Sequence, residues 1–366
     1  MQKNIKMPKR VGHLFEKMLD IDVIMRAIRK ASEKKRNQRN VKRILDNIEK
    51  YAKRIRQMIR EGSFKPSPYK MKEINDGIRL KKRLIAKPRF YPDQCVHHVL
   101  IIALQPIIVR SMYYYSCGSV PGKGGRLINK GILKFIRRHN NKAKYVLKMD
   151  IRHFYETVTH ESLMQMLRRK IKDKRVLDIC DIIVRSYPGG GKCCGVPIGN
   201  FTSPWFTNLL LEPVDHAIKH YLGKDYFYSR YVDDMVIIGP NKRKLHKLRK
   251  TLEVWLSRIE LRLKGNYQVY KLSKRCIDFV GVKYFKDGHT EIRKSVLKRI
   301  KRKARKIGRL GYINARNAMA MVSYMGRVHH TDSEHLFQKH IKPYIGSTKK
   351  LRRIISYEAK LCGAAG

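Results

Sequence analysis

Acidic side chains are scarce: 29 Asp and Glu stand against 83 Lys and Arg in 366 residues, a formal charge of +54. Such a chain repels itself unless a polyanion lies beside it, which argues against a simple metabolic enzyme. Cysteine is too sparse and irregular for a disulfide framework. There are seven, none in a CxxC pair, and the vicinal Cys193-Cys194 cannot close an ordinary disulfide. The doublets His97-His98 and His329-His330 lack Cys or His partners at zinc-finger spacing and read as buried or surface imidazoles. No apolar h-region follows Met1-Gln2-Lys3, so no secretory signal is expected. The longest greasy stretch, Val99 to Val109, is interrupted by Gln105 and Pro106 and is too short to span a bilayer. A cytoplasmic protein without a membrane partner is the expectation.

Apolar material is ample. Hydrophobic residues make up 43% and aromatics 9%, so the charge does not imply disorder. At roughly 100 to 200 residues per domain, the length suggests two or three folding units. Residues 14 to 60 place Leu14, Met18, Ile24, Ile28, Ile44, Ile55 and Ile59 at helical spacing, with Lys and Arg crowding the other faces. These helices read either as solvated faces or, given the whole-chain excess of base, as an RNA-binding surface. Gly62, Pro66 and Pro68 mark a boundary, giving a basic helical extension over 1–62.

From Ile78 to about Tyr284, short apolar strands alternate with helical stretches. Tyr145–Asp150 is strand-like, Thr159–Lys172 and Trp205–Leu222 read as helices, and Tyr226–Tyr231 and Met235–Gly239 form a hairpin across Val232-Asp233-Asp234. A further helix follows over Lys242–Leu261. This order predicts an α+β fold with a split βαβ sheet and helices on one face. Glu291–Leu310 then carries ten Lys or Arg and one acid, with Ile292, Val296, Leu297, Ile300, Ile307 and Leu310 on a stripe. Ten cations in so few turns repel one another unless a phosphate backbone neutralises them. Arg293, Lys294, Lys298, Arg299, Lys301 and Arg302 are the expected nucleic-acid contacts.

The sharpest chemical feature is Tyr231-Val-Asp-Asp234, two adjacent carboxylates at the tip of a greasy hairpin. Burying them is expensive unless cations occupy the site. Asp150 ends the Tyr145–Met149 strand in the same manner. Three acids on neighbouring strands would hold two Mg²⁺ ions, the arrangement that phosphoryl transfer needs.

These residues resemble reverse transcriptases. Asp150-Ile-Arg-His-Phe-Tyr155 matches the family's first palm motif, Gly195-Val-Pro-Ile-Gly-Asn-Phe-Thr-Ser-Pro204 the second and Tyr231-Val-Asp-Asp234 the third, while Ile277-Asp-Phe-Val-Gly281 resembles the hairpin that grips the primer end. The resemblance covers about residues 78 to 340. It implies a right-hand polymerase with fingers and palm over 63–290, a basic helical thumb over 291–350 and a tail over 351–366. It also implies catalysis by Asp150, Asp233 and Asp234, with these three and the Ile151 carbonyl as ligands of two Mg²⁺, for which Mn²⁺ can substitute. Asp234 is expected to be the weaker ligand, since consecutive strand residues point to opposite faces.

Tyr155 falls where the family places a steric gate against a 2′-hydroxyl. Lys81, Lys82 and Arg83 resemble the fingers segment that holds the triphosphate, with Arg83 suited to bidentate contact. Lys264 is the candidate general acid toward pyrophosphate. Ile198-Gly199 stands where many relatives carry Gln-Gly against the nascent base pair, which leaves an apolar contact. This form resembles the enzymes of diversity-generating retroelements, bacterial or phage-encoded, which work with a small basic accessory protein. Ser203-Pro204 instead resembles group II intron-like and phage-defence enzymes.

The implied partners are a structured RNA template, a primer, dNTPs and the cDNA product. A noncatalytic maturase-like scaffold is the rival from another class. The Gly-rich loop Tyr113–Gly125 reads either as template path or as plain surface. Beyond Lys349 no acidic cluster suits an RNase H or endonuclease domain.

Overall fold

The computed structural model describes residues 10–76, 81–187, 189 and 193–364. Four helices open it: α1 (Leu14–Leu19), α2 (Ile21–Ser32), α3 (Arg39–Asp46) and α4 (Ile48–Glu61). The Asp20 carboxylate caps α2, accepting from the Asp22 N–H at 2.8 Å. Gly62 ends α4 in the left-handed conformation. Val23, Ile24, Ala27, Ile28 and Ala31 form the buried stripe of α2. An antiparallel pair follows, β1 (Lys70–Asp76) and β2 (Lys81–Lys87), with Arg83 opposite Ile74.

Helix α5 (Cys95–Ser111) runs on through Pro106, where the sequence suggested an interruption. Phe90–Ser111 is long and apolar enough to cross a membrane, yet 61% of its apolar window is buried inside the protein. It is a core helix covered by α1 and α2. Next come β3 (Ser116–Cys117), α6 (Gly125–Arg138), β4 (Tyr145–Asp150), α7 (Phe154–Thr157), α8 (His160–Lys170) and α9 (Lys174–Arg185). The chain returns through α10 (Ser203–Leu210) and α11 (Glu212–Leu222) to β5 (Phe227–Tyr231), β6 (Asp234–Gly239), α12 (Lys242–Ser257) and β7 (Gln268–Lys271). The single helix expected over 205–222 is two, because Pro213 cannot continue the hydrogen-bond ladder of α10 and instead sits in the first turn of α11.

The central sheet has the order β3-β5-β6-β4-β7; β3 runs parallel to β5 and the other pairs are antiparallel. A smaller sheet of β8 (Ile277–Phe279), β9 (Val282–Tyr284) and β10 (Thr290–Ile292) leads into α13 (Lys294–Arg309), α14 (Ala315–Val328), α15 (Glu334–His340), α16 (Lys342–Ile345) and α17 (Thr348–Ala364). Two expected boundaries fall inside elements: 290/291 cuts β10, and 350/351 cuts α17. Leu351 is fully buried in the C-terminal helical core with Ile300, Met321 and Met325, so the last segment is part of that bundle. The N-terminal helices share one apolar cluster with α5, α8 and the inner face of the central sheet. They are built into the body of the molecule.

Candidate active site

The register of the central sheet decides the site. Asp150, last on β4, lies opposite Asp234, first on β6, and Tyr231 closes the hairpin opposite Asp234. Val232 and Asp233 make the turn between β5 and β6. One Asp150 oxygen, Oδ2, pairs with the Lys264 ammonium, while Oδ1 is enclosed without a conventional donor among the described residues, and the Asp233 carboxyl also meets the Asp150 side chain. Burial, then the charges of Asp150 and Asp234, push the Asp233 carboxyl up to about 7. The Asp234 carboxyl is raised by desolvation and then by Asp150, against the opposing pull of Lys148, Lys264 and Arg293.

Like charges this crowded, with an enclosed oxygen and hard donors only, suit a hard divalent cation. Among the described residues no group of three or more carboxylate, imidazole or thiol side chains is drawn together tightly enough to stand as a closed metal centre. Lys264 supplies the nearest countercharge to Asp150. Ile151 is fully buried and bridged to Leu263 through bonds that do not use its own carbonyl.

A cavity of about 400 Å³ gathers Arg83, Tyr155, Ile198, Gly199, Asp233 and Asp234. Fingers strand β2 reaches the palm here, with the Ala86 N–H donating to the Ile198 carbonyl at 2.9 Å. Gly199 permits this crossing. Its φ is +111°, and a Cβ would stand 2.6 Å from Ile85 Cγ2 and 2.8 Å from the Ala86 oxygen. The Tyr155 carbonyl accepts from Val196 N–H at 2.7 Å, tying the first palm motif to the second. Burial raises the Tyr155 phenol. Lys81 opens β2; the contact expected of its side chain lies outside the described residues.

Beneath the carboxylate turn lies a polar network absent from the sequence-based expectation. Arg230 is 1% exposed and grips Asp215 in two-pronged fashion, Nε to Oδ1 at 2.8 Å and Nη2 to Oδ2 at 2.5 Å. Its Nη1 donates to Asn208 Oδ1 at 2.9 Å and to the Val232 carbonyl at 2.7 Å. Tyr228 and Ser116 hydroxyls also donate to Asp215, at 2.6 and 2.5 Å. A sequence signal existed: Leu211, Asp215, Ile218 and Leu222 lie at helical spacing, so Asp215 is the one charge in an apolar stripe.

The loop 113–125 serves the same turn. Cys117 O accepts from Val232 N–H at 3.0 Å, Gly118 O accepts from Asn208 at 3.1 Å, and Tyr113 stacks on Tyr228. Ser116, Cys117, Gly118 and Val120 are buried and brace the turn, whereas Tyr114, Ser119, Pro121, Gly122 and Gly124 are exposed. His97 is fully buried, and its imidazole is lowered to about 3 by burial.

Of the cations expected to meet nucleic acid, Lys294, Lys298, Arg299, Lys301 and Arg302 lie on α13, and Arg293 just before it is near enough to act on Asp234. Lys294, Lys298, Arg299 and Arg302 are exposed, Lys301 is half-buried, and Arg293 is tied to Asp278 of β8 at 2.7 Å. Arg293 thus joins the small sheet to the thumb, because Asp278 is the near acid in a basic region.

A palm sheet carrying acids at adjacent strand ends, fingers strands docked on it and a helical thumb behind it make this a right-hand polymerase fold. The telomerase of Candida albicans in complex with a fragment of telomeric RNA shares it, with a TM-score of 0.50 over 80% of this chain and 64% of that one at 13% identity. The model for "Reverse transcriptase (RNA-dependent DNA polymerase)" matches residues 80–284, and the chain belongs to that family. Similar curated proteins include the putative COX1/OXI3 intron 2 protein of Saccharomyces cerevisiae, 27% identical over 220 residues, 56% of this chain and 24% of that protein. The group II intron-encoded protein LtrA of Lactococcus lactis subsp. cremoris is 23% identical over 231 residues, 60% of this chain and 37% of its own length. The chain thus spans only about a quarter to two fifths of these relatives.

Proposed function

We propose that this protein is an RNA-directed DNA polymerase that extends a 3′-hydroxyl with dNTPs along an RNA template, using two Mg²⁺ ions or Mn²⁺ in their place. The observation that carries this reading is the register that sets Asp150 against Asp234, beside Asp233, in a cavity shared with Arg83 and Tyr155. Asp150 and Asp233 would hold the ions, with Asp234 and the Ile151 carbonyl as further oxygen donors. When bound, Mg²⁺ supplies activation of the attacking hydroxyl and neutralisation of the leaving group.

In the reaction the primer 3′-oxygen bonds to the α-phosphorus, the bond from that phosphorus to the β-phosphate oxygen breaks, and pyrophosphate leaves with the electron pair. Arg83 grips the triphosphate from β2. Tyr155 lies under the sugar and selects against a 2′-hydroxyl. Lys264, already at the carboxylate centre, gives a proton to pyrophosphate. Primer extension on an RNA template tests the reading: wild type should incorporate, and Asp233→Asn with Asp234→Asn should lose at least 100-fold in rate. Equal incorporation by both proteins, or none by wild type on any RNA, rejects it.

For biological setting we favour the mutagenic enzyme of a diversity-generating retroelement, acting on a structured template RNA with a small basic accessory protein. Ile198 supports this, since an apolar side chain lines the nucleotide cavity where an amide would discriminate. Ser203-Pro204 favours the second reading, a phage-defence enzyme copying its own noncoding RNA. Sequenced cDNA separates them: errors concentrated at template adenines fit the first, uniform low error the second.

A further inference from the structure

Pairing along β4 continues past the carboxylate centre. Ile151 bridges Leu263, flanked by two hydrogen bonds: Arg152 N–H to the Arg262 carbonyl at 2.8 Å, and Lys264 N–H to the Asp150 carbonyl at 2.8 Å. This antiparallel register sets Arg152 opposite Arg262 and Asp150 opposite Lys264. Residues two apart on an extended chain are roughly 6.8 Å apart. A row of cations therefore begins at Lys264, on Asp150, and steps outward to Arg262 and Arg152.

Both arginines are exposed and line one cavity of about 320 Å³ with His153, Thr157 and Glu260. Glu260 is the one acid of that lining. Glu156, nearby on α7, is engaged by His153 at 2.9 Å. Two like charges directly opposite on paired segments are unfavourable by themselves. A multivalent anion lying between them reverses the sign of that interaction, and arginine forks match phosphate oxygens in paired contacts.

We propose that Lys264, Arg262 and Arg152 form a polyphosphate track that leads pyrophosphate from the carboxylate centre to solvent. The proposal rests on the polymerase reading above, and its product chemistry follows from it: each nucleotide added releases one pyrophosphate, which leaves the site before the next nucleotide enters. Glu260 borders the outer end of the track and repels the anion there.

Pyrophosphate inhibition of primer extension, paired with direct calorimetric titration of magnesium pyrophosphate onto the full chain without template or primer, tests the track. Arg152→Ala/Arg262→Ala should weaken pyrophosphate about 10-fold in both measurements, Arg152→Lys/Arg262→Lys should recover part of the loss, and E260Q should tighten binding severalfold. An unchanged KM for dNTP in the double alanine variant assigns the track to product alone. A KM raised in proportion assigns it also to the triphosphate tail, and either result supports a polyphosphate site. Unchanged pyrophosphate affinity in a double alanine variant that still extends primers overturns the track while leaving the polymerase reading intact. A wild type that binds pyrophosphate through these arginines but extends no primer supports the track and rejects the polymerase reading.

Discussion

Val232 has a φ of +59°, a conformation that strains a β-branched residue by on the order of 1 to 3 kcal/mol. It persists because Cys117 O holds its N–H and Arg230 holds its carbonyl. Asp215→Ala removes the partner of a fully buried guanidinium and should destabilise the fold by about 3 to 5 kcal/mol, read as the midpoint of denaturant unfolding. His97 offers a second test. Its folded value of about 3 lies below the ordinary 6.5, so the unfolded chain binds a proton that the folded chain refuses. Stability is complete above pH 6.5 and falls as pH drops; by pH 5 this residue alone should account for about 2 kcal/mol, at 1.36 kcal/mol per unit. His97→Leu should flatten that slope in unfolding curves collected from pH 7 to 5. Asp150, Tyr155, Gly199 and Asp233 were singled out through the resemblance of their motifs to a family, and the structure brings Tyr155, Gly199 and Asp233 to one cavity. Arg230 was not: one cation in Phe227-Tyr-Ser-Arg-Tyr231 looks like an outward-facing residue, and only its distant partner Asp215 makes it an inward one.

Among elements, β2 and the Gly195–Pro204 segment meet through the Ala86 N–H and the Ile198 carbonyl, and the cavity of about 400 Å³ lies where they join. Gly199→Ala forces a methyl against Ile85 and the Ala86 carbonyl and adds a strained φ. The expected result is a rise of at least 10-fold in KM for dNTP together with a melting temperature lowered by several degrees, measured by steady-state extension and differential scanning calorimetry. Unchanged KM would mean that β2 does not position the nucleotide. The strands of the palm were legible from alternating apolar runs. Helix α9 was overlooked although Val176, Ile179, Cys180, Ile183 and Val184 are buried on one face, and α10 and α11 merged because apolar spacing runs through Leu211. Pro213 carried the missing information.

Across the whole molecule, charge is distributed by task. Cations near the carboxylates are few and placed by register, whereas α13 presents Lys298, Arg299 and Arg302 openly to solvent. Replacing these three by Gln should lower template–primer affinity uniformly across sequences and reduce the slope of log K against log salt by about 2 to 3. Fluorescence anisotropy at several salt concentrations checks both, and a slope equal to wild type would remove α13 from the interface. The C-terminal bundle has an apolar core of its own, centred on Ile300, Met321 and Met325. The N-terminal helices do not: Ile24, Ile28, Ile55 and Ile59 share theirs with α5 and the palm. The family-matched segment 80–284 is consequently no transplantable module. Excised or grafted without α1 to α4, it would carry a bare greasy face and fall out of solution, so any engineered exchange between relatives has to move the first sixty residues together with the palm.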